Sequence, residues 1–280
     1  MVRENRLGTA FRLVFLTLFA VTCLFPFLWM LGTALKPGTE ALNNPSLLPR
    51  AGVSAMNWRI FADVWRRIDF PIYFFNSVKV SFFVVAGQLL IYSMAGFAFA
   101  KLRFIGRDLL FYGFLALLFV PSFAVVITLM PLEAKFGILN THLGVILPMI
   151  NGAAPFAIFL FRNYFKTIPH ELFESAVLDG AGEYRIYATI FLPLAKPALA
   201  TLAIMNFLSS WNALLWPLVC LRDEKLFTLP LGLMYLNTSM FVQYNVLMAG
   251  GLIALAPTIV VFLFMQKYYI AGLTAGAVKA

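Results

Sequence analysis

Residues 73–100 read YFFNSVKVSFFVVAGQLLIYSMAGFAFA, and Lys79 is the only charged side chain among them. An α-helix rises about 1.5 Å per residue, so about 20 apolar residues cross the roughly 30 Å of hydrocarbon in a bilayer. This stretch is long enough and apolar enough to span. Five others match it, at approximately 13–35, 109–131, 143–162, 198–220 and 244–266. Pro26, Pro121, Pro148 and Pro257 fall inside these stretches, where a membrane bundle tolerates proline better than a soluble helix does. The fold class predicted from the pattern is all-α integral membrane, with six transmembrane helices.

Composition agrees. Of 280 residues, 62% are hydrophobic and only 12% charged, where a soluble domain carries about 25% charged residues. The mean hydropathy is +0.88. One globular core cannot hide that much apolar surface, and hydrocarbon contact removes the need. The net charge of +9 comes from 21 Lys+Arg against 12 Asp+Glu. Its basic residues sit between apolar stretches rather than on one polar face, which fits membrane orientation and not nucleic-acid binding. Cys23 and Cys220 both lie in apolar stretches and read as small buried hydrophobes rather than a disulfide or metal pair.

Arg3, Arg6 and Arg12 precede the first stretch, which outruns a signal-peptide core and lacks a small-x-small site near its end, so it reads as a retained helix. The 101–108 connection carries Lys101, Arg103 and Arg107 against Asp108, whereas 132–142 carries Lys135 against Glu133. By the positive-inside rule, residues 1–12 and the 101–108 loop are cytoplasmic, and six crossings return the tail, 267–280, to the same side. The domain reading is therefore an N-terminal segment 1–12, a membrane domain 13–266 with a cytoplasmic loop at 163–197, and the tail. Outside lie residues 36–72 and 221–243. The first of these holds Pro37, Pro45 and Pro49 and a stretch from Met56 to Ile68 that suggests a short interfacial helix anchored by Trp58 and Trp65.

The 163–197 loop contains KTIPHELFESAVLDGAGEYRIYATIFLPLAKP, residues 166–197. Thr167 with Pro169 predicts a helix start, with Glu171 and Glu174 near its positive end. Leu172, Phe173, Ala176 and Val177 recur at helical spacing as one apolar face. Asp179-Gly180 stops the helix, and Asp179 is placed to cap a second from about Ala181 to Ile190. The result is a helix–turn–helix elbow. Pattern alone leaves two readings: a loop folded back on its own bundle, or a docking site for a cytoplasmic partner.

Glu174-Ser175-Ala176, Asp179-Gly180-Ala181, Ile190 and Leu192-Pro193 together resemble the coupling motif of binding-protein-dependent ABC importer permeases. Ser175 departs from the family's usual Ala but stays small. Resemblance to the second permease of maltose-type carbohydrate importers runs over nearly the whole chain. It is carried by Phe75-Asn76-Ser77, Ala95–Ala100 with Phe104-Ile105-Gly106-Arg107, Trp211-Asn212, Trp216-Pro217, Thr228–Leu233 and Gly272–Lys279. The resemblance implies that the elbow sits in a cleft of a separate ATPase and transmits its motion, and that Gly272–Lys279 reaches toward the ATPase pair. It also implies a bacterial plasma-membrane location, a second homologous permease, an ATPase dimer holding ATP and Mg, an extracytoplasmic binding protein and a sugar-like solute.

No G-x-x-x-x-G-K-[ST] loop, metal-ligand cluster or nucleophile elbow occurs in the sequence, so neither ATP chemistry nor other catalysis is expected of this chain, and no cofactor or metal. His142 and His170 are isolated. The six stretches lack the buried acidic relay that a proton- or sodium-coupled carrier needs, which weighs against the alternative, a stand-alone secondary carrier or channel. Asn206, Ser209, Ser210, Trp211, Asn212 and Trp216 cluster in the fifth stretch. Their amides, hydroxyls and rings suit a sugar path. They equally suit interhelical hydrogen bonding and interfacial anchoring.

Overall fold

The computed structural model describes residues 6–66, 69–238 and 243–277. All its regular elements are helical. In chain order they are α1 Arg6–Leu35, α2 Ile60–Arg66, α3 Phe70–Lys101, α4 Arg107–Ala116, α5 Ser122–Lys135, α6 His142–Gly152 and α7 Ala154–Thr167. There follow α8 Glu171–Leu178, α9 Glu183–Ile186, a π-helical turn Tyr187–Phe191, α10 Leu192–Leu194 and α11 Lys196–Trp211. Last come α12 Leu215–Cys220, α13 Leu229–Thr238 and α14 Tyr244–Ala277. The chain divides into two compact units, Met1–Pro71 with Leu233–Ala256, and Ile72–Gly232 with Pro257–Ala280.

Among the described residues, three helices are long and apolar enough to cross a membrane unbroken, Gly8–Leu35, Phe70–Lys101 and Tyr244–Gln266. Three further candidates are bent pairs. The third predicted stretch, 109–131, breaks where Val120 turns extended (φ −79°, ψ 122°) ahead of Pro121, because the proline ring disfavours helical backbone in the residue before it. The fourth bends by 47° between α6 and α7, with Pro155 in the first turn of α7. The fifth was expected as one span over 198–220. Its helix instead ends at Trp211, resumes as α12 and bends by 77° at the other end, between Leu194 and Lys196. Prolines 193, 197 and 217 each remove an N–H that a continuous ladder needs.

In the first unit, Lys36 follows α1 and is buried despite its charge. Its ammonium donates to the carbonyls of Asn44 (2.8 Å) and Ser46 and lies 5.4 Å from the centre of the Trp29 ring. Glu40 accepts from the Arg50 amide at 2.9 Å and from Asn44 Nδ2 at 3.1 Å, closing the 36–50 segment on itself. Within the Met56–Ile68 stretch there is a short helix, α2. It buries Ile60 and Val64 and leaves Trp58 exposed. Cys23 is exposed on α1, contrary to the buried expectation, while Cys220 is buried. Both are free.

The second unit is built on α3. A Cβ on Gly96 would collide with Phe161, so glycine is what lets α3 and α7 approach this closely. Gln88 Nε2 donates to Met149 O and Tyr92 OH to Ile150 O, each at 2.7 Å. These carbonyls belong to the last turn of α6, where a helix has no partners of its own. The same helix leaves Phe82, Phe83 and Leu90 exposed, a surface suited to lipid or another apolar partner and not to water.

Candidate functional site

The elbow is real, and its turn is more specific than the sequence suggests. Gly180 adopts φ +79°. Its N–H donates to Val177 O at 2.9 Å, and the next amide, of Ala181, donates to Ala176 O at 3.0 Å. This pair of bonds is the Schellman end of a helix, with glycine in the left-handed position and an apolar contact across the cap. Ala176 and Ala181 both belong to the aromatic cluster beneath. Asp179 closes α8 rather than opening the second arm. That arm begins at Glu183 with extended Gly182 before it and no side-chain cap. Thr167 does not cap α8 either. Its hydroxyl donates back to Tyr164 O at 2.7 Å, and His170 occupies the cap position without a side-chain bond. The cap fails because the residue after Thr167, Ile168, ends α7 in extended conformation, three positions before α8 begins.

The predicted apolar face divides. Phe173 and Ala176 turn inward, while Leu172 and Val177 remain outward with Leu178 (88% exposed) and Tyr184 (71%). Glu174 is exposed and 3.7 Å from His170, which stacks on Phe173 with ring centres 5.6 Å apart. The elbow thus has one side fixed and one side open. On the fixed side Phe97 of α3 is the hub: its ring centre lies 5.1 Å from that of Phe191, 5.5 Å from Tyr187, 6.0 Å from Phe165 and 6.2 Å from Phe173. Ile190, Leu192 and Pro193 lie where the second arm joins the membrane helix. Ile190 and Leu192 pack partly buried against the cluster, and the π-turn Tyr187–Phe191 ends two residues before Pro193. A proline three residues on from Ile190 cannot donate to Thr189 O, and widening the turn accommodates the missing bond.

Beside the elbow, Arg162 of α7 is buried. Its guanidinium stacks 3.8 Å from the centre of the Phe111 ring, and it donates to Asp108 at 3.1 Å and to Phe99 O at 3.3 Å. Two polar contacts that sequence reading did not find also join α3 to the elbow. Lys101, read as a loop charge, is buried and bonded to Ile168 O at 2.7 Å. Ser93 meets the Tyr187 hydroxyl at 2.7 Å. The available signal was the helical spacing of Ser93, Phe97 and Lys101.

The polar cluster of the fifth stretch does not share one face. Ser209 and Asn212 are exposed, on the side of Met205, whereas Asn206, Ser210 and Trp211 are buried. Trp211 packs with Phe74 and Phe207, ring centres 5.6 Å apart in each case. Trp216 Nε1 donates to Gly144 O at 2.7 Å. Both indoles are thus engaged within the chain. The Asn206 Nδ2 is buried with no hydrogen-bond partner among the described residues. Glu133, read as a connecting-loop residue, is also buried at the end of α5, with the Cys220 thiol as its neighbour among the described residues. His142 is not isolated: its ring lies 3.3 Å from Lys79 Nζ and 3.0 Å from Leu226 O. Among the described residues, no cluster of His, Cys, Asp or Glu can hold a metal ion. In the tail, Gly272–Ala277 continues α14, and Val278 and Lys279 lie outside the described residues.

Residues 92–274 match the family model of the binding-protein-dependent transport system inner membrane component. The chain is 39% identical over 271 residues to the arabinooligosaccharides transport system permease protein AraQ of Halalkalibacterium halodurans, covering 93% of this chain and 92% of that one. It is 34% identical to the galactooligosaccharides transport system permease protein GanQ of Bacillus subtilis, with full coverage of both chains, 100% each. A chain from the crystal structure of a bacterial ABC transporter involved in the import of the acidic polysaccharide alginate superposes with a TM-score of 0.80. It is 25% identical, covering 96% of this chain and 99% of that one.

Proposed function

The chain belongs to the binding-protein-dependent transport system inner membrane component family and is a permease subunit of an ABC importer; from that premise we propose that its cargo is an oligosaccharide and that the 163–197 elbow is the part a separate ATPase drives. The observation that carries the elbow's role is its two-sidedness. Phe173, Ala176, Ile186 and Phe191 are anchored in the chain's own aromatic cluster, while Leu172, Val177, Leu178 and Tyr184 face outward beside Glu174. An apolar patch that the bundle does not cover, on a turn the bundle holds rigidly, suits a cleft in a cytoplasmic partner. Glu174, Ser175, Ala176, Asp179, Gly180, Ala181, Ile190, Leu192 and Pro193 form this coupling element.

In this reading the three unbroken helices and three bent pairs make six spans, with both termini, the 101–108 loop and the 267–280 tail in the cytoplasm. A second homologous permease completes the pathway, an ATPase pair holds ATP and Mg, and an extracytoplasmic binding protein delivers the solute. Closure of the ATPases moves the elbow and biases the bundle between two packings, since only differential contact in the two states can shift such an equilibrium. The oligosaccharide assignment follows relatives named for arabino- and galactooligosaccharide transport. Within the fifth span, the exposed Ser209, the unpartnered Asn206 amide and the exposed Asn212, whose Nδ2 donates to Leu208 O at 2.8 Å and whose amide oxygen can still accept, are the groups offered to sugar hydroxyls. Ser210, Trp211 and Trp216 support them from within the packing.

The test is reconstituted uptake. Labelled arabino-oligosaccharide is predicted to enter liposomes only when both permeases, the ATPase, ATP and the loaded binding protein are present. Glu174→Lys and Gly180→Arg insert but abolish that uptake. Uptake by the purified chain alone, driven by an ion gradient, would establish a stand-alone carrier instead.

A further inference from the structure

Ser93, Phe97 and Lys101 are spaced four residues apart and therefore lie one above another on α3. Each touches the elbow: Ser93 through the Tyr187 hydroxyl, Phe97 through four rings, Lys101 through Ile168 O. The lowest contact differs from the others in kind. Lys101 is the last residue of α3, and its side chain is buried. The ammonium donates to Ile168 O at 2.7 Å and lies 5.2 Å from the centre of the Phe191 ring. Ile168 stands just before the first arm of the elbow, and Phe191 closes the π-turn that ends the second. One cation therefore touches both arms and the end of the helix on which they rest, with the opposite charge of Glu171 close by.

Burying an ammonium is costly unless it gains strong partners. Here they are an orphan carbonyl at the negative end of α7, where a cation is favoured, and an aromatic face. An apolar residue would fill the same space, but it would not join Ile168 to Phe191. The arms are otherwise joined by residues 179–182, whose Gly180 is left-handed and whose Gly182 is extended, and by ring contacts, Phe173 with Phe191 at 6.4 Å between centres and both with Phe97. Ring contacts are not directional and can slide under a force on the outer face, whereas the directed Lys101 hydrogen bond fixes Ile168 in place.

We propose that Lys101 is a positioning residue for energy coupling: by holding Ile168 O and the Phe191 ring it makes both arms and the end of α3 move as one body. The inference rests on the elbow being the driven element. Motion applied at Leu178 and Tyr184 is then delivered to α3 and, through Gln88 and Tyr92, to the bend between α6 and α7.

The experiment uses the complete importer in proteoliposomes and reads solute moved per ATP hydrolysed. Lys101→Met keeps the length of the stem and removes donor and charge. It is predicted to keep the ATPase subunit at wild-type stoichiometry while the ratio falls about tenfold, as for loss of one buried charged hydrogen bond. Lys101→Arg restores most of the ratio. Amide exchange over 171–191 accelerates in Lys101→Met and returns in Lys101→Arg. An unchanged ratio in Lys101→Met, even at reduced abundance, would reduce Lys101 to a cap for α7 and overturn the proposal. Loss of the ATPase from the complex would overturn it too, by placing Lys101 in the docking surface. If Lys101→Met fails to accumulate, Lys101→Gln, a neutral donor, carries the same reading, with a lowered ratio supporting the tether and an unchanged ratio refuting it. Uncoupling by Gly180→Arg alongside normal Lys101→Met removes only this proposal. Normal transport in both removes the driven elbow itself.

Discussion

Replacing Gly180 separates the two roles that one glycine can have, ending a helix and fitting a partner. Its φ of +79° is left-handed, so any L side chain costs roughly 1–2 kcal/mol of backbone strain. No atom lies within 4 Å of the position a Cβ would take, so within this chain no clash adds to that cost. Alanine and arginine therefore carry the same intrinsic penalty of about 1–2 kcal/mol, and asparagine, which tolerates this region, carries less. The Schellman bonds to Val177 and Ala176 weaken equally in Gly180→Ala and Gly180→Arg. The thermal transition of the purified permease pair is predicted to shift by the same amount in both. Uptake by the reconstituted importer diverges. Gly180→Asn stays near wild type, and Gly180→Ala falls at most about thirtyfold, the worth of 2 kcal/mol. Gly180→Arg is inactive, because only the partner's surface meets the longer side chain. Equal uptake in the alanine and arginine variants would refute the reasoning and leave Gly180 a helix terminator with no docking role.

Three further outcomes follow from the packing. Leu178→Asp adds a charge where the side chain is already 88% exposed, so abundance and melting hold while ATPase co-purification drops; retained co-purification counts against the outer face. Phe97→Ala empties the hub beneath the elbow and costs about 3–5 kcal/mol of stability, read as a lowered melting transition in detergent. Acid sensitivity is expected from Glu40, whose carboxyl is held below the usual carboxylate range first by the Arg50 amide hydrogen bond, then by Asn44, Arg50 and Lys36, with burial acting the other way. A depressed carboxyl contributes stability that is present above its unfolded value, about 4.3, and is lost as pH falls through the lower folded value. Melting of wild type therefore declines below about pH 4, and Glu40→Gln flattens that limb; parallel profiles would contradict the assignment.

The membrane class, the positions of the long helices and the existence of the elbow were legible in apolar runs and in Asp179-Gly180. What escaped was local. Side chains that cap by proximity in sequence, Thr167 and Asp179, lost to backbone geometry set by the extended Ile168 and the left-handed Gly180. The fifth span read as continuous because hydropathy averages across Pro217 and Asn212, while the backbone cannot. The four apolar positions of α8 read as one face because an 8-residue helix is too short for periodicity to separate a buried stripe from an outward one. Lys101 and Glu133 read as loop charges because hydropathy places the ends of spans only to within a few residues, and burial there depends on which helix packs alongside.

The claim that an ATPase grips the outer face of the elbow is tested most directly by a photo-crosslinking amino acid at Leu178, with Phe173 as the inward-facing control, in the assembled and transporting importer. The account predicts an adduct with the ATPase subunit from position 178, altered by nucleotide, and only intrachain adducts from position 173. A transporting complex that gives no ATPase adduct from 178, nor from 177 or 184, would contradict it.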